Sequence, residues 1–126
     1  MMETLKRSEV LRGRRDVALV FRQGRRVPGG PVYLRWRRRP ESETDRDRLP
    51  PRQVAFLLAR GVGNAVRRNR LKRRLRELYR RNKHRFPEGR DYLLHAGPGA
   101  GDLSFAELDR RVAGFCRPLR PRGESG

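Results

Sequence analysis

Hydrophobic and polar positions recur along the chain with two different periods, and these periods predict its secondary structure. Val17, Val20 and Phe21 recur at helical spacing, which predicts a short amphipathic helix over residues 14–23. Gly24 directly follows this stretch and is a residue type that commonly ends helices. The first element is therefore predicted to be a helix with one apolar face.

Strict alternation replaces the helical period from Val32 to Arg37, which predicts a half-buried strand. Val32 and Leu34 lie on the inner face of this strand with Trp36. The outer face is basic and aromatic, and consists of Tyr33, Arg35 and Arg37. A brief edge strand is predicted just before it, around residues 25–28.

Two short apolar runs, residues 53–59 and 91–96, predict two further buried strands. Residues 37–52 contain almost no apolar side chain and predict a long exposed connector. Near the C-terminus, Ser104 and Glu107 form a capping box that predicts the start of a helix. The apolar stripe of this helix, which we expect to pack on the sheet, consists of Leu108, Val112 and Phe115.

The order of these elements predicts one domain over residues 13–116. Residues 1–12 are predicted to be a mobile basic arm, and residues 117–126 a disordered tail. Between the third and fourth strands lies the most unusual segment, which contains twelve Arg or Lys residues and one acid from position 60 to position 85.

This basic segment predicts a helix that starts near Asn64. Its buried side is a narrow stripe of Leu71, Leu75 and Leu78. The opposite side presents Asn69, Arg73, Arg76 and Arg80. A solvated charged face is the ordinary interpretation of such a helix, but here almost no acids compensate the charge. We therefore expect the helix to bind a polyanion, with amide groups at its N-terminus available to a phosphate.

Composition narrows the identity of that polyanion. The 126 residues carry a net charge of +19, from 33 basic and 14 acidic side chains, which indicates nucleic acid or an anionic membrane. The sequence has neither an apolar run of about 18 residues nor a signal-peptide core, so no membrane association and a cytoplasmic location are expected. One cysteine and two histidines, without paired carboxylates, predict neither a metal site nor a catalytic group in the protein.

The motif GNAVRRNRLKRRLRE, which begins at Gly63, closely resembles the signature of the bacterial ribonuclease P protein component. The resemblance extends in order over residues 5–116. It implies an α+β fold in which a small, mixed four-stranded sheet packs with three helices in the order αβββαβα. It also implies a left-handed βαβ crossover at the signature helix, although a right-handed one is the general rule.

The resemblance further implies a division of roles between two surfaces. The residues that would bind the catalytic RNA subunit are Arg60, Asn64, Arg67, Arg68, Asn69, Arg70, Lys72, Arg73 and Arg76. The residues that would line a cleft for the single-stranded 5′ leader of precursor tRNA are Val17, Phe21, Tyr33 and Arg35. Hydrolysis would belong to the RNA subunit and its Mg²⁺ ions, with no metal bound by the protein and no obligate protein partner.

Two positions depart from the family pattern. Val17 stands where the family often has an aromatic residue, and Ala59-Arg60-Gly61 replaces the usual Ser-Lys-Lys, which removes one of two positive charges. Core packing is the alternative role for the cleft residues, above all for Phe21. Two other functions stay open from charge and fold class alone: a purely structural RNA-binding protein, such as a ribosomal protein, and a protein-only nuclease.

Overall fold

The computed structural model describes residues 5, 9–11, 14–40 and 50–119. Within these ranges the strands are β1 (Arg25–Val27), β2 (Val32–Arg38), β3 (Arg52–Leu58) and β4 (Arg90–Ala96). The helices are α1 (Arg14–Gln23), α2 (Ala65–Asn82) and α3 (Phe105–Phe115). The predicted α+β class and the element order αβββαβα are confirmed, and most predicted boundaries are correct to within one residue.

The four strands form one mixed sheet in the order β1-β2-β4-β3. β2 pairs antiparallel with both β1 and β4, whereas β3 pairs parallel with β4. α2 supplies the crossover between the two parallel strands, because a parallel pair cannot be joined by a tight turn. The left hand of this crossover stays a prediction.

α2 and α3 cover one face of the sheet, here called the two-helix face, and most of the core lies there. Leu34 and Leu94 are register partners on β2 and β4, and both side chains are fully buried. The predicted leucine stripe of α2 is also buried, together with Tyr79. A basic helix is thus attached to the sheet through a few apolar side chains, which leaves its other side free for a charged function.

α1 covers part of the opposite face, here called the α1 face. Val20 is fully buried there against a small cluster that includes Leu11 and Leu93.

The prediction of a mobile N-terminal arm was wrong for residues 9–11, because Leu11 belongs to this cluster. Leu11 donates a backbone hydrogen bond of 2.7 Å to the carbonyl of Val54, which ties this segment to β3. Glu9 also forms an ion pair with Lys83 at 3.1 Å. The other residues of the predicted arm lie outside the described ranges, except for Leu5.

The predicted exposed connector, residues 37–52, was wrong at both ends. Arg37 lies in β2, as the predicted strand over residues 32–37 required, but it is buried and is not part of an exposed connector. Its Nη2 lies 3.1 Å from Oδ2 of Asp91, and Nε of the buried Arg39 lies 2.8 Å from Oδ1 of the same carboxylate. Arg52 begins β3. Two arginines are buried because a carboxylate on the neighbouring strand compensates their charge. Residues 41–49 lie outside the described ranges.

The capping box of α3 is confirmed. Oγ of Ser104 accepts a hydrogen bond from the backbone N–H of Glu107, and the Glu107 side chain accepts one from the Ser104 N–H, at 3.1 and 3.2 Å. After Phe115 the chain forms a short 3₁₀ turn over Arg117–Leu119, in which Leu119 is buried in the core. The predicted disordered tail was therefore wrong for residues 117–119, and residues 120–126 lie outside the described ranges.

The turn from α1 into β1 has no room for a side chain. The backbone N–H of Gly24 donates to the carbonyl of Val20 at 2.8 Å. A Cβ atom at position 24 would lie 2.2 Å from that carbonyl oxygen and 2.7 Å from the carbonyl oxygen of Trp36. Glycine at this position therefore lets the end of α1 lie directly against β2.

Candidate nucleic-acid interface

The N-terminus of α2 has several features that attract anions. Asn64 is its N-cap, and Oδ1 of Asn64 accepts a hydrogen bond of 3.0 Å from the backbone N–H of Arg67. The first turn contains no acidic residue. Gly63 precedes the cap with a φ of +141°, a conformation that side-chain-bearing residues rarely adopt. The amide groups and the positive end of the helix dipole are thus combined with basic side chains.

Most of the predicted RNA-binding residues lie on the solvent side of this end of α2. Arg68 is half-buried beside the leucine stripe. The other members of the set are exposed: Arg60, Asn64, Arg67, Asn69, Arg70, Lys72, Arg73 and Arg76. The structure therefore brings all nine predicted residues together on one helix and the turn that precedes it. It differs from the predicted helical wheel at Arg80, which is only half-exposed.

The acidic residues near α2 neutralise mainly its far end. Glu77 accepts hydrogen bonds from the side chains of Arg80 and Arg81. These bonds, that of Arg80 first, lower the pKa of Glu77 to about 2, so its carboxylate stays charged. Among the residues that the structure describes, Arg67 is the one member of the predicted set with an ion-pair partner. Its Nη2 lies 3.8 Å from an oxygen of the exposed Asp102. Positive charge is therefore least compensated in the first three turns of α2.

A second basic and aromatic surface lies on the α1 face, where the leader cleft was predicted. Phe21 projects from α1 and is 41% exposed, so it is not a core residue as the alternative interpretation required. The guanidinium carbon of Arg35 lies 5.0 Å from the centroid of the Phe21 ring and 5.8 Å from that of Tyr33. Val17 is half-buried against the small α1-face cluster. The structure therefore places Phe21, Tyr33 and Arg35 next to one another. Val17 lies on the side of α1 that packs on the sheet.

Two residues of this surface were not predicted. The ring of His95 stacks on that of Tyr33 with centroids 4.5 Å apart, and the guanidinium carbon of Arg26 lies 4.1 Å from the Tyr33 centroid. Tyr33 and His95 are register partners on β2 and β4. The alternation within residues 91–96 could have placed His95 on the same side as Leu93. The pairing of β2 with β4, however, joins segments about 60 residues apart and has no local signal.

The surroundings of His95 disfavour protonation of its imidazole. Burial, followed by the nearby Arg35 and Arg26, lowers its pKa below the ordinary value for histidine. Nδ1 of His95 is buried and has no hydrogen-bond partner among the described residues. The positive charge of the α1-face surface therefore comes from its arginines, and His95 contributes an aromatic ring.

The two surfaces meet at one end of the sheet. Ala96, next to His95 on β4, pairs with Val32 on one side and with Leu58 on the other. The chain leaves β3 at Leu58 and reaches the start of α2 only seven residues later. The Tyr33–His95 pair and the N-terminus of α2 therefore lie at the same sheet end, so one large polyanion can contact both surfaces.

The described residues contain no group of three or more His, Cys, Asp or Glu side chains placed to hold a metal ion. None of the helices in these ranges has both the length and the apolar content needed to cross a membrane.

Comparisons with known proteins identify a single family. The family described as Ribonuclease P matches residues 5–120. The ribonuclease P protein component of Acidothermus cellulolyticus is 41% identical over 121 residues, which cover 91% of this chain and 94% of that protein. That of Streptomyces griseus is 37% identical over 102 residues, which cover 79% and 82%.

Solved structures agree with these sequence matches. The ribonuclease P protein from Thermotoga maritima superposes with a TM-score of 0.73 at 25% identity, covering 90% of this chain and 99% of that one. A ribonuclease P protein structure from Staphylococcus aureus has a TM-score of 0.72 at 16% identity, covering 89% and 98%, and supports the fold alone.

Proposed function

The chain belongs to the ribonuclease P protein family, and from this premise we propose how it divides its surfaces between two RNAs. As a ribonuclease P protein component it is a subunit of a tRNA-processing endoribonuclease that also contains ribonuclease P RNA. The proposal is that α2 binds this RNA subunit and that the α1 face binds the 5′ leader of precursor tRNA. The chain thereby assists removal of the leader.

The observation that carries the first half of the proposal is the uncompensated charge at the start of α2. Arginine and lysine side chains on a rigid helix bind phosphates with strong salt dependence and little sequence preference. Asn69 is a neutral amide between two arginines, which suits a hydrogen bond to one particular group of a folded RNA. These features fit a permanent RNA partner better than a substrate that must be released.

The second half rests on the cluster around Tyr33. An exposed aromatic ring at Phe21 and the guanidinium groups of Arg26 and Arg35 combine stacking with phosphate attraction. Such combinations hold single-stranded nucleic acid without much choice of sequence. This suits leaders, since a processing enzyme must accept many different ones.

The chemistry of hydrolysis is proposed to stay with the RNA subunit. Mg²⁺ binds through carboxylate and other oxygen ligands, whereas both candidate surfaces of this chain are basic and would repel a divalent cation. The described side chains therefore do not fit a magnesium site. Mg²⁺ held by the RNA would activate the attacking water and stabilise the leaving oxygen. The protein residues bind and orient the two RNAs.

Reconstitution tests this function. The rate of precursor tRNA cleavage by the RNA subunit alone should be low at low Mg²⁺ concentration and should rise when the protein is added. An unchanged rate would contradict the proposal. Activity of the RNA-free protein would instead favour a protein-only nuclease, and cosedimentation with ribosomal subunits without any processing effect would favour a structural RNA-binding protein.

A further inference from the structure

A basic cavity lies at the end of β2 away from Tyr33, outside the two surfaces described above. Its volume is about 380 Å³. Its lining consists of Gln23, Arg25, Trp36, Arg37, Arg38 and Arg90. Four of these six residues are arginines and none is acidic. This cavity is called the Trp36 pocket below.

Among the described residues that line the Trp36 pocket there is no carboxylate to serve as a counter-ion. Arg90 is only 5% exposed, and its Nη1 is buried without a hydrogen-bond partner among the described residues. Its guanidinium carbon lies 4.1 Å from the centroid of the Trp36 ring. Burial and the nearby Arg38 lower the pKa of Arg90, which indicates that its charge is poorly solvated. The buried carboxylate of Asp91 pairs with Arg37 and Arg39. An anion in the pocket would therefore be stabilised by several cations at once.

The lining specifies the chemical class of that anion. A guanidinium group binds phosphate oxygens through two parallel hydrogen bonds. The half-buried indole of Trp36, with the guanidinium carbon of Arg25 6.0 Å from its ring centroid, offers a surface for a nucleobase. Arginines beside an indole thus suit a nucleotide of single-stranded RNA better than a free inorganic anion.

The position of the Trp36 pocket connects it with the cleft on the α1 face. Arg37 follows Tyr33 and Arg35 on the same face of β2, about 13 Å from Tyr33 at ~3.3 Å per residue. α1, which lines the cleft, ends at Gln23, and the side-chain oxygen of Gln23 accepts a hydrogen bond of 3.5 Å from Arg37. Gln23 and Arg37 form the rim of the pocket on the α1 face, whereas Trp36 and Arg38 project from the opposite face of β2. A single strand that passes Tyr33 and Arg35 would therefore reach this rim next and turn around the end of β2 to contact the indole.

We propose that the Trp36 pocket is a distal subsite for a nucleotide of the 5′ leader, with Arg25 and Arg38 binding its phosphate and Trp36 stacking on its base. This inference rests on the proposed function and extends it. Only leaders long enough to pass beyond the cleft would use the pocket, so its effect should depend on leader length.

The test compares holoenzymes on precursor tRNAs whose leaders are lengthened one nucleotide at a time. The double variant Arg25→Gln/Arg38→Gln changes two exposed side chains of the pocket. Arg110→Gln/Arg117→Gln is the matched control, since it removes the same charge from exposed positions at α3. We expect the affinity of the wild-type holoenzyme for its substrate to rise first when the leader fills the cleft and a second time when the leader reaches the pocket. The pocket variant should lose this second rise, about three- to tenfold, while the control keeps it.

Salt dependence gives a second readout. Loss of the contact with one phosphate of a single strand should reduce the slope of log affinity against log salt by about 0.7, for long leaders only. Trp36 is the single tryptophan of the chain, so its fluorescence reports on this pocket alone. Its emission should change when long-leader substrate binds the wild-type holoenzyme and stay constant with short-leader substrate.

If affinity depended on leader length equally in the wild type and the pocket variant, the proposal of a subsite would be wrong and the proposed function would be unaffected. A pocket variant with weaker affinity for the RNA subunit in the absence of substrate would also overturn it, because the RNA subunit would then be the ligand. Failure of the proposed function looks different: even the wild-type holoenzyme would show no dependence on the leader.

Discussion

The imidazole ring of His95 lies stacked on the phenol ring of Tyr33, with centroids 4.5 Å apart and planes inclined at 29°. The guanidinium group of Arg26 contacts the same phenol ring at 4.1 Å. A tyrosine at the proposed leader site is therefore held in one orientation by its neighbours before any RNA binds. Such preorganisation reduces the conformational entropy that binding would otherwise remove.

The lowered pKa of His95 predicts a pH dependence of stability. The unfolded chain binds a proton near the ordinary histidine pKa of about 6.5, whereas the folded chain binds it only at lower pH. This contribution to the free energy of unfolding is therefore fully present above about pH 7.5. It declines as the pH falls through 6.5 towards the folded pKa.

Urea unfolding at a series of pH values between 8 and 5.5 would measure this effect. The variant His95→Phe keeps a ring against Tyr33 and removes the titrating group, so its curve should be flatter in that range. An identical decline in both proteins would assign the pH dependence to another group.

Removal of the Tyr33 ring should weaken the binding of leader-bearing substrate. We expect Tyr33→Ala in the holoenzyme to lower affinity for precursor tRNA by about 1–3 kcal/mol, the range found for one base–aromatic stack. Tyr33→Phe retains the ring and should bind nearly as well as the wild type. Affinity for mature tRNA is the control, and an equal loss there would contradict a leader-specific role.

Loss of a single arginine from the predicted RNA-binding set on α2 should act on a different step. Arg68→Ala or Arg70→Ala is expected to weaken binding of the RNA subunit and to lower its salt slope by about one unit. Arg110→Ala changes an exposed residue of α3 and is a control outside the predicted set. Filter binding at several salt concentrations would measure both quantities. If these variants and Tyr33→Ala impaired the same step, the division between the two surfaces would be wrong.

Asn64 allows the stability of α2 to be separated from RNA binding. Asn64→Asp keeps a good N-cap and places a negative charge at the positive end of the helix, so stability should be equal to or slightly above that of the wild type. The same carboxylate would repel phosphates, and RNA-subunit binding should fall several-fold. Asn64→Ala should instead cost about 1 kcal/mol of unfolding free energy. Full RNA affinity in Asn64→Asp would show that this end of α2 does not contact RNA.

The buried carboxylate of Asp91 should be important for stability. Asp91→Ala leaves the Arg37 and Arg39 guanidinium groups buried without it, which is expected to cost about 3–5 kcal/mol. Asp102→Ala removes the exposed partner of Arg67 and should change stability by less than about 1 kcal/mol. Denaturant unfolding of both variants checks the contrast, and equal effects would contradict the importance given to burial.

Local signals were sufficient for most elements of this fold. The helical spacing of Val17, Val20 and Phe21 predicted α1 with its correct bounds. The capping box at Ser104 is found with both of its hydrogen bonds. The leucine stripe of α2 is buried as its periodicity requires. Each of these features depends on residues a few positions apart, so a single sequence contains the necessary information.

Most of the errors involve contacts between distant segments. Asp91 lies 54 residues after Arg37, and only their shared register on β4 and β2 explains why an arginine in a polar stretch is buried. The docking of Leu11 on β3 and the stacking of His95 on Tyr33 have the same origin. Composition alone classified these segments as solvent-exposed or unremarkable, because it contains no information about which strands become neighbours.

The absence of space around Gly24 has a consequence for how leaders are accepted. The end of α1 lies so close to the β2 backbone there that no side chain fits between them. For the proposed leader site, this close contact predicts that every leader meets the same opening, so differences in affinity among precursors would arise from the flexibility and length of the strand itself. Any side chain at position 24 would wedge the helix outwards and widen the groove for all substrates alike.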